Sequence, residues 1–390
     1  MIPYGRHHID ENDIAEVVKT LCSDWITQGP KTEEFEEALA GYCGASYAVV
    51  FSSGTAALHG AYAAAGLQKG DDFITTPMTF AATANAGVYL GANPVFADIE
   101  PDTGNIDAVD AASLITKKTK LIAVVDYAGH PFNGKMLYDA AVKLGLIIVE
   151  DACHALGAMY KADSTWKRTG SCHYSHMTVF SFHPVKSITT GEGGAVLTND
   201  KGLYETLKQF SQHGITKSTN NFLHPTDGPW YYEMQTLGFN YRMTDFQAAL
   251  GISQLNKLSW FIERRRKISA FYDSTFGGNP YFDIPVERDY AKSAYHLYPI
   301  RLKHPYQKKL VFEQLRGQYI GVQCHYIPVT HHPFYRARGV THCPNADEFY
   351  QRQISIPIFP AMTNDDIHYV CEKLFDVFEG LSVAEDYASR

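Results

Sequence analysis

One lysine, Lys186, stands between the apolar runs "MTVFSF" (177–182) and "GGAVLT" (193–198), against a Thr- and Gly-rich stretch. A lysine amine with a pKa near about 10.4 is protonated and inert as a nucleophile. Burial or a neighbouring cation frees its lone pair. The alternative is a solvated loop lysine, the ordinary fate of that residue type. A second candidate lies in "LIIVEDACHALG" (146–157), where a buried strand ends on Glu150 and Asp151. Alternation along a strand sends the two carboxylates to opposite faces, so one of them faces a central ligand, and the reading selects Asp151. A buried carboxylate needs a cation or several donors, and a protonated pyridine nitrogen is such a cation. Capping of the following turn is the competing role. A third lies in "FSSGTAALHGAYAAAG" (51–66), a strand, a small-residue turn and a helix start. The N–H groups of Gly54, Thr55 and Ala56, with the helix dipole, suit a phosphate. They equally suit an N-cap by Ser52, Ser53 or Thr55.

Together an anion cradle, a strand-end Asp and a lysine form the minimum set for pyridoxal 5′-phosphate (PLP). The phosphate is held, the ring nitrogen is kept protonated and the aldehyde is captured by an amine.

These residues need a scaffold that brings strand ends together. The first two-thirds of the chain alternates apolar runs (47–51, 72–77, 93–99, 119–129, 146–152) with helical patterns (54–67, 81–91, 134–145). That alternation predicts an α/β fold with a mostly parallel sheet covered on both faces. Ligands then sit at the carboxyl ends of the strands, where Ser52 to Gly54, Thr76, Asp126, Asp151 and Ser181 fall. A long helix over about 243–274 leads to a small α+β unit, with strands at 294–302 and 321–327 and helices at 305–317 and 363–378. The expected division is a large domain over 1–255 and a small C-terminal domain over 256–390.

Composition limits the function. The chain has 390 residues, 45% hydrophobic and 19% charged, as expected of a globular protein of two or three domains. A net charge of −8 argues against nucleic acid as the main partner, and "IERRRK" (262–267) reads as a solvated helix face. No run approaches the roughly 18 apolar residues that span a bilayer, and "MIPYGRHHIDENDIAEVV" has no apolar leader segment. Seven scattered cysteines without a CxxC point to reduced thiols and the cytoplasm. His7-His8, His331-His332 and the trio Cys172, His173, His176 match no recognised ligand set, so no metal is expected.

The series "WITQGPKTEEFEEALAGYCG", "VVFSSGTAALHGA", "TTPMTFAATANA", "PVFADI", "DACHALG", "FSFHPVKSITTGEGGAV", "GFNYRMTDFQAALG" and "CHYIPV" runs nearly end to end. In this order it resembles the DegT/DnrJ/EryC-type sugar aminotransferases, within the PLP-dependent transferase fold type I. The resemblance implies that Lys186 forms the imine with PLP and that Asp151 pairs with the ring nitrogen. It implies that Thr55, Ala56 and Ser181 bind the phosphate, helped by Asn240 from the partner in a homodimer. Phe80 would stack on one ring face, and His154 would lie against the other face or the phenolic oxygen. Substrate contacts would come from Tyr4, Asp24, Trp25, Ile26, Thr27, His325 and Tyr326, some of them across the dimer. Much of the family has His-Leu/Pro-Tyr-Gly where this chain has "DYAG" (126–129). That difference points to the subgroup of pseudaminic acid biosynthesis, which moves an amino group from glutamate to C4 of a UDP-linked 4-keto-6-deoxy-N-acetylhexosamine. The alternatives are another nucleotide-sugar aminotransferase, a PLP-dependent sugar dehydratase, which carries His in place of Lys186, and a catalytically silent binding protein. The segment 160–176 has no assigned role in this reading.

Overall fold

Two helices, α1 (Glu11–Leu21) and α2 (Pro30–Cys43), precede the first strand, β1 (Tyr47–Phe51). Strand and helix then alternate: α3 (Gly54–Ala64), β2 (Asp72–Thr75), α4 (Ala82–Tyr89), β3 (Asn93–Phe96), α5 (Ala108–Ser113), β4 (Thr119–Val125), α6 (Gly134–Leu144) and β5 (Ile147–Asp151). A hairpin, β6 (Met159–Ala162) and β7 (Thr165–Arg168), leads to β8 (Met177–Ser181), β9 (Gly194–Thr198) and α7 (Lys201–Ser211). This computed structural model describes residues 1–339 and 342–388.

Seven strands form one sheet in the order β1-β9-β8-β5-β4-β2-β3. β9 runs antiparallel to both neighbours, and the other pairings are parallel. β9 is buried throughout, and β4 exposes only Lys120, as sequence runs without polar alternation require when helices cover both faces. The parallel strands end on one side, so the residues after β2, β4 and β5 meet the start of α3 there. Two glycines permit that meeting. A Cβ on Gly54 would stand 2.8 Å from Ser181 Cβ, and one on Gly194 would stand 2.6 Å from the carbonyl oxygen of Ser53.

Beyond α7 come a short ribbon, β10 (Ile215–Thr216) with β11 (Glu233–Met234), and the long helix α8 (Asp245–Phe276). The remainder is β12 (Phe282–Asp283), β13 (Ala291–Lys292), β14 (Tyr298–Leu302), α9 (Lys308–Gly317), α10 (Pro333–Arg336), α11 (Pro344–Arg352), β15 (Gln353–Ile356) and α12 (Asn364–Ala388). β12, β14 and β15 make a three-stranded antiparallel sheet. It shares a core with Tyr272 and Phe276 of α8, Val311 of α9 and Leu374 of α12. Earlier in α8, Ala248, Leu255, Leu258 and Phe261 belong to a core beside the main sheet. Residue 255 therefore lies inside a continuous helix that serves both cores. Arg265, buried between them, donates Nη1 to the carbonyls of Tyr295 (3.2 Å), His296 (3.2 Å) and Ile358 (2.7 Å).

Two sequence expectations change. Residues 321–327 are not a strand. Gln323 makes one bridge to Ser355, after which the chain leaves the sheet, and Val329 N–H bonds the carbonyl of Pro77 at 2.9 Å. The strand in that sheet is β15, four buried residues too short to read from sequence. The segment 160–176 also gains a role. β6 pairs with β7 on one side and β13 on the other, Lys292 sits 4.3 Å over the Trp166 ring, and Arg168 sits 4.4 Å over the Tyr42 ring. The hairpin thus ties α2 to the segment that leads into β14.

Candidate active site

The ends of β5 and β8 and the start of α3 enclose a cavity of about 420 Å³. Tyr4, Thr55, Phe80, Asp151, His154, Ser181, Lys186, His325 and Tyr326 line it. Residues from both halves of the chain thus meet in one chamber, of a size typical of small-molecule sites.

Asp151 closes β5 and is buried. Thr83 Oγ1 donates to its Oδ2 at 2.6 Å, and Cys153 N–H donates to Oδ1 at 3.2 Å. Thr79, in the bend before α4, stands four residues ahead of Thr83, their hydroxyls 2.7 Å apart. Because the Thr83 proton goes to Asp151, the Thr79 hydroxyl donates to Thr83. A chain of hydroxyls thereby fixes the carboxylate. Glu150 does not line the cavity. Its Oε2 accepts from Thr178 Oγ1 (2.6 Å) and Ser175 Oγ (3.1 Å). Near it, Asp126 is pushed well above the usual carboxylate range by burial and by the charge of Glu150.

Lys186 lies in a turn of the β8–β9 connection, its N–H on the carbonyl of His183 at 2.9 Å. Burial lowers the pKa of its amine, against the opposing pull of Cys153 and Asp151. Desolvation makes the neutral, nucleophilic form more accessible. At the start of α3, Ser53 is the N-cap, and its Oγ accepts from Ala56 N–H at 3.1 Å. The cap therefore occupies the Ala56 donor. Gly54 and Thr55, as first-turn residues without an intrahelical acceptor, are left to hold an anion.

His154 Nε2 is 2.9 Å from the Tyr326 hydroxyl, and its Nδ1 is buried without a partner among the described residues. Burial holds this imidazole well below its ordinary pKa, reinforced by Lys186 and His325. His325 Nδ1 meets Ser355 Oγ at 3.0 Å, its carbonyl accepts from Tyr127 Oη, and burial brings its pKa down to about 3. Phe80 stands at the rim, 61% exposed, its ring 6.0 Å from that of Tyr326.

The remaining predicted residues stay outside the chamber. Asp24, Trp25, Ile26 and Thr27 are exposed, in a loop pinned outward by Asp245, whose carboxylate accepts from Gly29 N–H (2.8 Å) and Lys31 N–H (2.9 Å). Asn240 is exposed and bridges to Gln212. Conversely, sequence reading did not single out Thr79, Thr83, Cys153 or His296, which all line the cavity. The i, i+4 spacing of Thr79 and Thr83 is a signal that could have found that pair. His296 carries no local signal.

The residues present fit PLP. A desolvated amine, a doubly held carboxylate, an open helix start and an orphaned imidazole nitrogen match the aldehyde, ring nitrogen, phosphate and phenolic oxygen. Among the described residues no group of three or more His, Cys, Asp or Glu is placed to hold a metal, and no helix is long and apolar enough to cross a membrane.

Comparison with known proteins agrees with this chemistry. A UDP-4-amino-4,6-dideoxy-N-acetyl-beta-L-altrosamine transaminase from Campylobacter jejuni subsp. jejuni serotype O:2 is 41% identical over 385 residues, 97% of this chain and 98% of the relative. The solved structure of Helicobacter pylori PseC, an aminotransferase of pseudaminic acid biosynthesis, superposes with a TM-score of 0.90 at 35% identity, covering 97% of this chain and 99% of that one. The PLP form of the putative sugar aminotransferase Spr1654 from Streptococcus pneumoniae gives 0.89 at 31% identity, covering 97% and 99%. The model of the DegT/DnrJ/EryC1/StrS aminotransferase family matches residues 7–375, and the chain belongs to that family of PLP-dependent aminotransferases.

Proposed function

We propose that this enzyme transfers an amino group from glutamate to C4 of a UDP-linked 4-keto-6-deoxy-N-acetylhexosamine, as in pseudaminic acid biosynthesis. The observation that carries the chemistry is one cavity lined by both Lys186 and a doubly held Asp151. The choice of sugar rests on the relatives, whose similarity runs over 97% of the chain.

In this reading Lys186 would hold the cofactor aldehyde and Asp151 its ring nitrogen. Thr55, Ser181 and the first N–H groups of α3 would hold the phosphate, and His154 would meet the phenolic oxygen. When bound, PLP supplies a ring that draws off charge as the amino group passes from donor to ketone. Lys186 Nζ takes the proton from Cα of the amino donor and, on the return half, delivers a proton to C4 of the sugar. His154 and His325, both neutral, add no competing cation. The apolar walls of Leu58, Val125 and Val185 limit water around the reacting carbons.

A homodimer completes this reading. Asn240 and the loop of Asp24, Trp25, Ile26 and Thr27 lie outside their own chamber, and the partner subunit's Asn240 would reach the phosphate. Exposed Trp25, Ile26, Trp230 and Leu237 supply apolar surface for such a contact. The large unit over 1–255 would carry the cofactor and the small unit over 256–390 part of the substrate wall, with α8 shared. Seven free cysteines suit a reducing cytoplasm.

The test offers UDP- and dTDP-linked 4-keto sugars with glutamate to the wild type and to Lys186→Ala. The wild type should aminate the UDP-linked 4-keto-N-acetyl sugar. The variant should keep its fold, lose the imine absorbance with PLP and turn over nothing. Normal transamination by the variant would overturn the role of Lys186, and amination of dTDP sugars alone would overturn the substrate.

A further inference from the structure

His296 enters the cavity wall from a distant part of the chain, just before β14. It is 4% exposed, and its ring centroid lies 4.3 Å from that of His154, the planes tilted by 37°. Its backbone is fixed on two sides. Arg265 donates to its carbonyl, and the next residue, Leu297, bonds the Ala128 carbonyl through its N–H at 3.3 Å. A Cβ on Gly129 would come within 3.0 Å of His296 N, so the turn after β4 packs directly on this segment. His296 Nδ1, like that of His154, has no partner among the described residues. Among the described residues neither ring is hydrogen-bonded to a carboxylate.

We propose that His296 is a positioning residue for transamination: its ring packs on His154 and, with Tyr326 on Nε2, holds the free Nδ1 of His154 in one orientation. The proposal rests on the reading of Lys186 and His154 above. An imidazole has two rotatable bonds and two possible tautomers, and the Tyr326 hydroxyl at 2.9 Å anchors only one ring nitrogen. The His296 ring supplies the second constraint and keeps water from His154. The charged and titratable groups around the pair are Lys186 from the β8–β9 connection, Arg265 from α8, His325 and Tyr326 from the loop after α9, and Asp151 and Cys153 at and just after the end of β5. Lys186 and His325 oppose a proton on both rings, and Arg265 opposes one on His296. Burial and these neighbours hold both imidazoles neutral. Lys186 is then the group in the chamber that carries protons, and His154 serves as a fixed neutral partner for the cofactor.

Nitrogen NMR of histidine-labelled apoprotein tests this without turnover. In the wild type His154 should show one tautomer and stay neutral across the activity range; a mixture of tautomers overturns the proposal. In His296→Ala the His154 titration should move up toward the ordinary imidazole range, and kcat should fall roughly 10- to 100-fold, as expected for a displaced active-site group. The acid limb of the pH profile should shift with it, while the imine absorbance persists. His296→Phe restores a flat uncharged ring and should stay near wild type in all three measurements. An unchanged His154 titration in His296→Ala, or a His296→Phe as impaired as His296→Ala, overturns the proposal. Absence of the imine band in the wild type would instead strike the reading of Lys186, and the NMR result would stand apart from it.

Discussion

Thr83→Val removes one hydroxyl and keeps the shape of the side chain. In the wild type that hydroxyl donates to Asp151 Oδ2 at 2.6 Å, a shorter hydrogen bond than that from Cys153 N–H to Oδ1, and it accepts from Thr79. A hydrogen bond to a charged group contributes about 1.5–3 kcal/mol. At about 1.4 kcal/mol per factor of ten, its loss should weaken PLP affinity or turnover roughly 10- to 150-fold, divided between the two according to whether Asp151 acts equally in ground and transition states. The Cys153 N–H at 3.2 Å remains, so Asp151 stays in place and some activity survives. The assay is PLP titration by absorbance together with kcat and KM for glutamate, with thermal melting to show that the fold holds. Thr79→Val should give a smaller loss of the same kind, since it removes only the donor behind Thr83. A Thr83→Val enzyme within about twofold of wild type in both quantities would refute the view that this hydroxyl orients Asp151.

Two further outcomes follow from the packing. Gly54→Ala puts a Cβ 2.8 Å from Ser181 Cβ and 3.0 Å from its Oγ, so the helix start must move off β8. The expected cost is about 1–3 kcal/mol, visible as weaker PLP binding and a lower melting temperature. For Asp126 the sign comes from linkage. Its folded pKa lies above the ordinary carboxylate value through burial and then Glu150. The unfolded chain therefore releases this proton first, and stability falls as pH rises above about 4 until the folded group also ionises. Asp126→Asn cannot ionise, and its amide can still donate toward Glu150 while its oxygen accepts from Phe132 N–H, as Oδ1 does now at 2.9 Å. Its melting temperature should exceed that of the wild type by a margin that grows from about pH 4 to pH 8; parallel curves would refute the raised pKa of Asp126.

The sequence by itself determined the alternation of buried strands and helices, the carboxylate at the end of β5, the lysine between β8 and β9, and the small-residue turn into α3. Each is a local pattern: two-residue or 3.6-residue periodicity, glycine where the backbone approaches closely, polar residues where strands end. The tertiary structure alone decided what those residues touch. That Thr83 holds Asp151, that the Ser53 cap occupies Ala56 N–H, that 321–327 leaves the sheet to bring His325 and Tyr326 into the chamber, and that Asn240 and Trp25 face outward all depend on packing between elements far apart in sequence. His296 is the extreme case. Its neighbours in the chain predict only a strand start, and its place against His154 exists because Arg265 and the turn at Gly129 clamp one short segment between two cores. Contacts of that kind are set by how whole elements fit together, and no window of sequence encodes them.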